Sequence, residues 1–407
     1  MSRSAFEIDA QRHGLKLPVR RGKNVSGRGR VCFYNEHLFP VLVPTGIPFA
    51  GGAETQLAKL VHGLHARGFD ITVVSCDFGQ PHDMTVRGVR MLRTFAPDDG
   101  APVLRFFHPR LSHTLSALHE ADAEVYYVNG SGMQAGLAFD VARWRGAGYV
   151  NHVASDYDVL RALPTHGNPR DRWWYRRAIH GADLRLAQTE FQRERLRSEF
   201  GVASTLLPNV VEIPGETIDA GQDGVVVWLG TYKAIKRPDW FTRLAREFPE
   251  RRFVMAGVIP PPPLTQQHWE DAQRAANDTP NLVVRSFLDH AHLRELFRGA
   301  ALLVHTSPVE GFSNVLLEAW SYGLPTVSCV DPDGLVRGKR LGGAADTFEQ
   351  LVAETRRLLA DPSERRASGA RARAYAVAHH APDVVFDRLA GVLDPLVAEV
   401  RTRRDRR

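Results

Sequence analysis

At 407 residues the chain is long enough for two domains with full cores, and its 43% hydrophobic and 24% charged residues are ordinary for a globular protein. No run approaches the ~18 apolar residues of a membrane span, and Met1 to Glu7 has no apolar core behind its charges, so neither a spanning segment nor a secretory leader is expected. The net charge of +6 gathers at the ends: residues 11–30 hold Arg12, Lys16, Arg20, Arg21, Lys23, Arg28 and Arg30 with no acid among them, and residues 401–407 are similarly basic.

Both basic ends read as flexible, solvated segments, with weak attraction to an anionic membrane face as the sharper alternative. Nucleic-acid recognition is not expected, because no aromatic platform or binding motif accompanies the charge. Cys32, Cys76 and Cys329 are far apart and set in strand-like runs. That fits reduced core thiols of a cytoplasmic protein, with no disulfide framework and no zinc spacing.

After the basic leader, strand and helix signals alternate. Val31–Tyr34 reads as a strand, followed by a glycine loop at Gly51-Gly52 and a helix from about Glu54 to Ala66, with Leu57, Leu60, Val61 and Leu64 on one face. Arg67-Gly68 ends that helix, and Ile71–Cys76 is the next strand. Further strands are expected at Val125–Val128, Tyr149–Val153 and Asp183–Ala187. Pro208, Pro214, Gly215, Gly221 and Gly224 mark a linker. The pattern then restarts with strands at Val225–Leu229, Arg252–Ala256, Leu282–Arg285, Leu302–His305 and Pro325–Cys329, and helices at Pro238–Glu247 and His290–Arg298. Such alternation predicts an α/β protein with two doubly wound, mostly parallel sheets, and a ligand cleft at the carboxyl ends of their strands. The proline run at 260–263 reads as a stiff surface loop.

Five features are candidates for chemistry or binding. Gly51-Gly52-Ala53-Glu54 closes a loop and opens a helix, a place where backbone approaches a ligand and an anion is favoured; by itself it is weak, since many strand-to-helix turns need glycine. Gly230 ends a strand, and Lys233, Lys236 and Arg237 bring positive charge to its edge, either as a solvated basic turn or as stabilisation for a leaving diphosphate. The most informative stretch is Glu310 to Trp320, with two carboxylates, Glu310 and Glu318, eight residues apart. Strand-like residues precede it, Ser313 or Asn314 is placed to cap a helix, and Gly323 and Pro325 stop that helix. Free N–H groups at such a start suit phosphate, and a carboxylate one turn in suits a ribose or sugar hydroxyl. Asp156-Tyr157-Asp158 has the form of a metal-holding pair but equally of a helix start. Finally, Phe106-Phe107 and Trp173-Trp174-Tyr175, flanked by Arg170, Arg172, Arg176 and Arg177, read either as a surface for a lipid-linked acceptor or as simple helix packing.

Gly51-Gly52-Ala53-Glu54, Gly230 with Lys236-Arg237-Pro238, and Glu310-Gly311-Phe312 with Glu318 resemble the three signatures of the retaining glycosyltransferases of family 4. Smaller echoes are Gln188 to Gln192, Pro208-Asn209-Val210 and Gly323-Leu324-Pro325. The resemblance covers about residues 30 to 390. It implies the GT-B architecture: a leader over 1–29, a Rossmann-like acceptor-side domain over 30–212, a linker over 213–224, a donor domain over 225–375, and a C-terminal helix over 376–407 packing back on the first domain, with the two domains facing each other across a cleft.

The resemblance also implies roles. Glu310 lies near the transferred sugar; Gly311, Phe312, Ser313, Asn314, Val315 and Leu316 offer the backbone N–H groups for the donor phosphates; Glu318 takes the ribose; Lys236 stabilises the leaving diphosphate. Gly230 and Thr231 line the donor site, Gly51 and Gly52 face the donor from the other domain, and His152 stands near the sugar, unless it is a core histidine. Thr231 departs from the pattern, since many relatives have an arginine there, and Lys233 is the nearest substitute. The expected activity is metal-independent transfer, with no cofactor, of a sugar from a nucleoside diphosphate sugar to a hydroxyl acceptor, a glycan, lipid-linked or small molecule, in polysaccharide or glycoconjugate synthesis. The expected place is the cytoplasm, with peripheral contact at the inner membrane face as an option. An epimerase or phosphorylase on the same architecture, or a catalytically idle sugar-nucleotide-binding protein, is the alternative.

Overall fold

The computed structural model describes residues 27–43, 51–96, 99–101, 104–164, 168–219, 224–260, 265–286 and 290–406. The leader positions Arg12, Lys16, Arg20, Arg21 and Lys23, the linker's Gly221 and residues 261–263 of the proline run lie outside these. The chain divides into two units, one made of residues 1–210 with 385–407 and the other of residues 211–384.

In the first unit, over the described residues, eight strands form one sheet: β1 (Arg30–Tyr34), β2 (Asp70–Ser75), β3 (Asp83–Val86), β4 (Val89–Arg93), β5 (Val125–Asn129), β6 (Gly148–His152), β7 (Leu184–Ala187) and β8 (Thr205–Leu206). Their order is β3-β4-β2-β1-β5-β6-β7-β8, parallel throughout except for the β3–β4 hairpin. The central strands are apolar on both faces, Val125-Tyr-Tyr-Val128 for example being buried throughout, as a parallel sheet covered on both sides requires. One face packs on α1 (Gly52–Ala66), and the other on α2 (Ser112–Glu120), α3 (Met133–Arg145), α4 (Pro169–Gly181) and α5 (Glu190–Phe200). The hairpin was not foreseen. Its two-residue turn, Arg87-Gly88, has φ of 48° and 84°, the left-handed pair that matches strand twist, but without the Asn-Gly signature that announces it.

In the second unit, over the described residues, six parallel strands follow the order β11-β10-β9-β12-β13-β14. These are β9 (Val225–Thr231), β10 (Phe253–Val258), β11 (Leu282–Arg285), β12 (Ala300–His305), β13 (Thr326–Ser328) and β14 (Gly342–Ala344). Gly230 does not end its strand as expected: β9 continues through it to Thr231, pairing Gly230 with Gly257 and Thr231 with Val258. The helices are α6 (Pro238–Arg246), α7 (Gln267–Asn277), α8 (His290–Arg298), α9 (Asn314–Tyr322), α10 (Phe348–Ala360) and α11 (Pro362–His380). Helix α9 ends at Gly323 with φ of 78°, and α11 passes so close that a Cβ on Gly369 would stand 2.0 Å from the Gly323 carbonyl oxygen. Residues after Val210 are tied down: Val211 N–H donates to the His380 carbonyl (2.9 Å) and Ile218 N–H to the Tyr322 carbonyl (3.1 Å).

The last helix, α12 (Pro382–Asp405), returns to the first unit. Val385, Leu389, Leu393, Val397 and Val400 recur every three or four residues and are buried against the α1 side of the first sheet. Ion pairs of Arg67 with Asp387 (2.6 Å) and Arg401 with Glu124 (2.7 Å) flank that contact. Cys32, Cys76 and Cys329 are free, and burial pushes the Cys76 thiol up to about 12 and the Cys329 thiol up to about 11. Among the described residues no helix is long and apolar enough to cross a membrane.

Candidate functional site

In the second unit, β12 and α9 build the strand–loop–helix that the Glu310–Glu318 spacing indicates. The apolar strand ends in His305, and residues 306–312 form the loop. Ser313 caps the helix, its hydroxyl accepting from Leu316 N–H at 3.5 Å. Phe312 and Leu316 belong to the core, Phe312 lying edge-on to Trp320 with ring centroids 6.0 Å apart. Their side chains are therefore anchors, and only their backbone is left for a ligand. Gly311, Asn314, Val315 and Glu318 are half-buried. The first turn of a helix lacks intrahelical partners for its N–H groups, so this corner offers donors to an anion.

The second cationic part comes from the turn after β9. Lys236 closes a short 3₁₀ turn (Ala234–Lys236), after which Arg237 takes φ of 46° and Pro238 starts α6. Two hydroxyls from the β12 loop fix this turn: Thr306 donates to the Lys236 carbonyl and Ser307 to the Ile235 carbonyl (3.3 Å), while the Trp228 indole N–H donates to Thr306 (2.9 Å). Held there, the Lys236 ammonium pairs with Glu310. Lys233, the nearest basic residue to the position where an arginine is expected, is exposed, and the Arg237 guanidinium lies over the Trp240 ring at 4.4 Å. Neither reaches Glu310 in place of Lys236. Thr231 is half-buried at the end of β9, and its carbonyl accepts from Lys233 N–H at 2.7 Å.

His305 is a site residue that the sequence reading missed. Buried to 4% exposure, it places Nε2 at 3.4 Å from Glu310 Oε1 and 3.2 Å from Ser313 Oγ, and Nδ1 at 3.3 Å from Ser328 Oγ. Burial alone would raise the Glu310 carboxyl, but the His305 hydrogen bond and the Lys236 charge more than offset it and hold it down to about 2. Glu310 is thus an ionised acceptor at neutral pH, unsuited to proton donation. The signal that could have found His305 is a polar residue closing an otherwise apolar strand immediately before a functional loop. Thr306 and Ser307 were missed for the same reason, since their partners lie about seventy residues away, at 235 and 236.

The first unit holds the remaining positions. Gly51 is the N-cap of α1, with Glu54 folded back so closely that a Cβ on Gly51 would meet its carboxylate. Gly52 is the first residue of that helix. His152 ends β6, 2% exposed, with Nδ1 at 2.7 Å from the Tyr127 hydroxyl and Nε2 buried without a hydrogen-bond partner. Burial holds its imidazole down to about 3, so it is neutral at physiological pH. Asn129, paired with His152 across β5 and β6, likewise has a buried Oδ1 lacking a partner. Asp156-Tyr157-Asp158 is a helix start: Asp158 accepts from the N–H groups of Ala154 (3.2 Å) and Ser155 (3.1 Å), and Asp156 accepts from Gln192 at 2.9 Å.

Over residues 50–213 the chain matches the family model Glycosyltransferase Family 4, and over residues 223–361 the model Glycosyl transferases group 1. Among curated proteins no sequence matches. Of solved structures, the sucrose-phosphate synthase of Thermosynechococcus elongatus superposes with a TM-score of 0.74 at 17% identity, over 91% of this chain and 100% of its own. HepE of Anabaena, solved with UDP-glucose, gives 0.70 at 14% over 90% and 100%. A glycosyltransferase from Rickettsia africae gives 0.68 at 8% over 91% and 99%. At these identities the likeness speaks to the fold, which is GT-B.

Proposed function

The chain belongs to the family 4 and group 1 glycosyltransferases, and on that premise we propose that it moves a sugar from a nucleoside diphosphate sugar to a hydroxyl acceptor with retention at the anomeric carbon. The observation that carries this reading is the cluster of Lys236, Glu310 and His305 beside the first turn of α9. In the proposed complex the donor diphosphate takes the N–H groups of residues 311–316 and the Lys236 ammonium, whose present partner Glu310 then turns to a sugar hydroxyl. Glu318 takes the ribose, and Gly230 and Thr231 lie against the donor. In the first unit, His152 is proposed as a neutral hydrogen-bonding group for a sugar hydroxyl, and Gly51-Gly52 as backbone that a ligand approaches closely.

The acceptor oxygen bonds to the anomeric carbon as the bond to the diphosphate breaks. The electron pair leaves on the phosphate oxygen, and the acceptor proton passes to that phosphate on the same face. Lys236 and the helix start meet the developing charge, so the transfer is proposed to run without a metal ion. This route supports a part in glycan or glycoconjugate assembly. A panel of UDP, GDP and ADP in thermal unfolding tests the donor class: one diphosphate should raise the melting temperature, by about 2.7 kcal/mol of stabilisation at a hundred times its dissociation constant. No shift with any of them overturns the reading. Release of the same diphosphate should need an acceptor and persist in a chelator; conversion of the donor without acceptor would favour an epimerase.

A further inference from the structure

The aromatic–arginine segments split in the structure. Trp174 packs inward, its indole N–H donating to Asp140 at 3.2 Å, whereas Trp173 is 54% exposed, and so are Phe107 and Leu104, each at 64%. Residues 104–107 lie against α4, and the rings form an unbroken chain: Phe107 to Phe106 at 5.1 Å, Phe106 to Trp174 at 6.3 Å and Trp174 to Trp173 at 6.3 Å. Two guanidiniums cap it, Arg170 at 3.8 Å over Phe106 and Arg177 at 4.9 Å over Trp173. Arg170 and Arg177 pair with Asp171 (3.1 Å) and Asp140 (2.9 Å), and the same two segments carry Arg105, Arg172 and Arg176 in excess of these acids. Three large apolar side chains in water, ringed by excess positive charge, are a docking face.

We propose that this face, from residues 104–107 and the exposed side of α4, rests on the surface of an anionic lipid bilayer. Tryptophan and phenylalanine sit at headgroup depth, with the ring in the apolar boundary, while arginine keeps its charge at the phosphates and its stem along the rings. A fluid surface accommodates protruding side chains of unmatched height, where a protein partner would have to supply a complementary acidic pocket for each.

The test is co-sedimentation of the whole chain with phosphatidylglycerol-rich vesicles and with phosphatidylcholine vesicles. Binding should favour the anionic vesicles and weaken steeply with salt. The double variant Phe107→Ser with Trp173→Ser should bind at least about tenfold more weakly, and Arg105→Glu with Arg176→Glu should abolish the anionic preference, both at unchanged melting temperature because these side chains are exposed. Equal partition onto both vesicle types, or anionic binding that survives either double variant and so resides in another basic segment such as residues 11–30, overturns the proposal. So does failure to bind at all.

Discussion

Lys236 and Glu310 neutralise each other in a half-buried corner, with side-chain exposures of 27% and 19%, and His305 contacts the same carboxylate oxygen as Lys236. Replacing Lys236 by Ala should lower turnover by about 10²- to 10³-fold, the usual loss when one preorganised stabiliser of a leaving group is removed; steady-state kinetics with saturating donor would show it, and unchanged turnover would sink the assignment. The depressed Glu310 carboxyl also makes a stability prediction. A carboxyl held near 2 in the folded chain against 4.5 otherwise stabilises fully above 4.5, and that contribution fades as pH falls towards 2. Urea unfolding at low and neutral pH should therefore show a smaller acid loss in Glu310→Gln than in the parent. For His152, lowered to about 3, imidazole resonances should stay fixed from pH 5 to 8, and its contribution to stability should fall as pH drops below 6.5. The two glutamates were legible in the sequence because their spacing within one strand–loop–helix is local, and Lys236 because a basic turn follows the apolar run of β9 directly. His305 was not, since its value depends on Ser328 and Glu310 meeting it from different elements.

At the scale of elements, α9 is positioned by how it stops as much as by how it starts. Gly323 sits at φ of 78° with only ordinary contacts around a would-be Cβ, the nearest atom at 3.7 Å, so Gly323→Ala should cost only the left-handed strain, about 1–2 kcal/mol. Gly369→Ala should cost more, because its Cβ would collide with backbone at 2.0 Å and force α9 and α11 apart. Urea midpoints at constant slope would rank the two, and the reverse order would mean the helices yield easily. Strand and helix alternation was readable from apolar runs and from glycine–proline stops, since those are backbone requirements written locally. The β3–β4 hairpin was not readable, for an Arg-Gly turn is an unusual way to supply two positive φ angles. Helix α3 also escaped the reading, with Ala135, Gly136, Leu137, Ala138 and Phe139 buried in succession and therefore no amphipathic period to detect.

For the whole molecule, the consequential feature is that the first unit is discontinuous, with residues 385–407 joining residues 1–210. Cutting the chain after residue 381 would strip the α1 side of the first sheet of Val385, Leu389, Leu393, Val397 and Val400. At about 1.5–3 kcal/mol for each buried side chain, that loss is comparable to the whole stability usual for a domain. Such a truncation should leave the second unit folded and the first molten, visible as loss of one of two unfolding transitions. Two doubly wound units were legible as a repeated pattern, but which residues close which core is long-range information that no local period carries. The same discontinuity sets an order of events during synthesis. The second unit has its whole sequence outside the ribosome while the first still lacks its covering helix, so the part translated first is the part completed last. Until residues 385–400 emerge, the α1 side of the first sheet stays only partly covered, and that interval is when a nascent chain of this design most needs a chaperone.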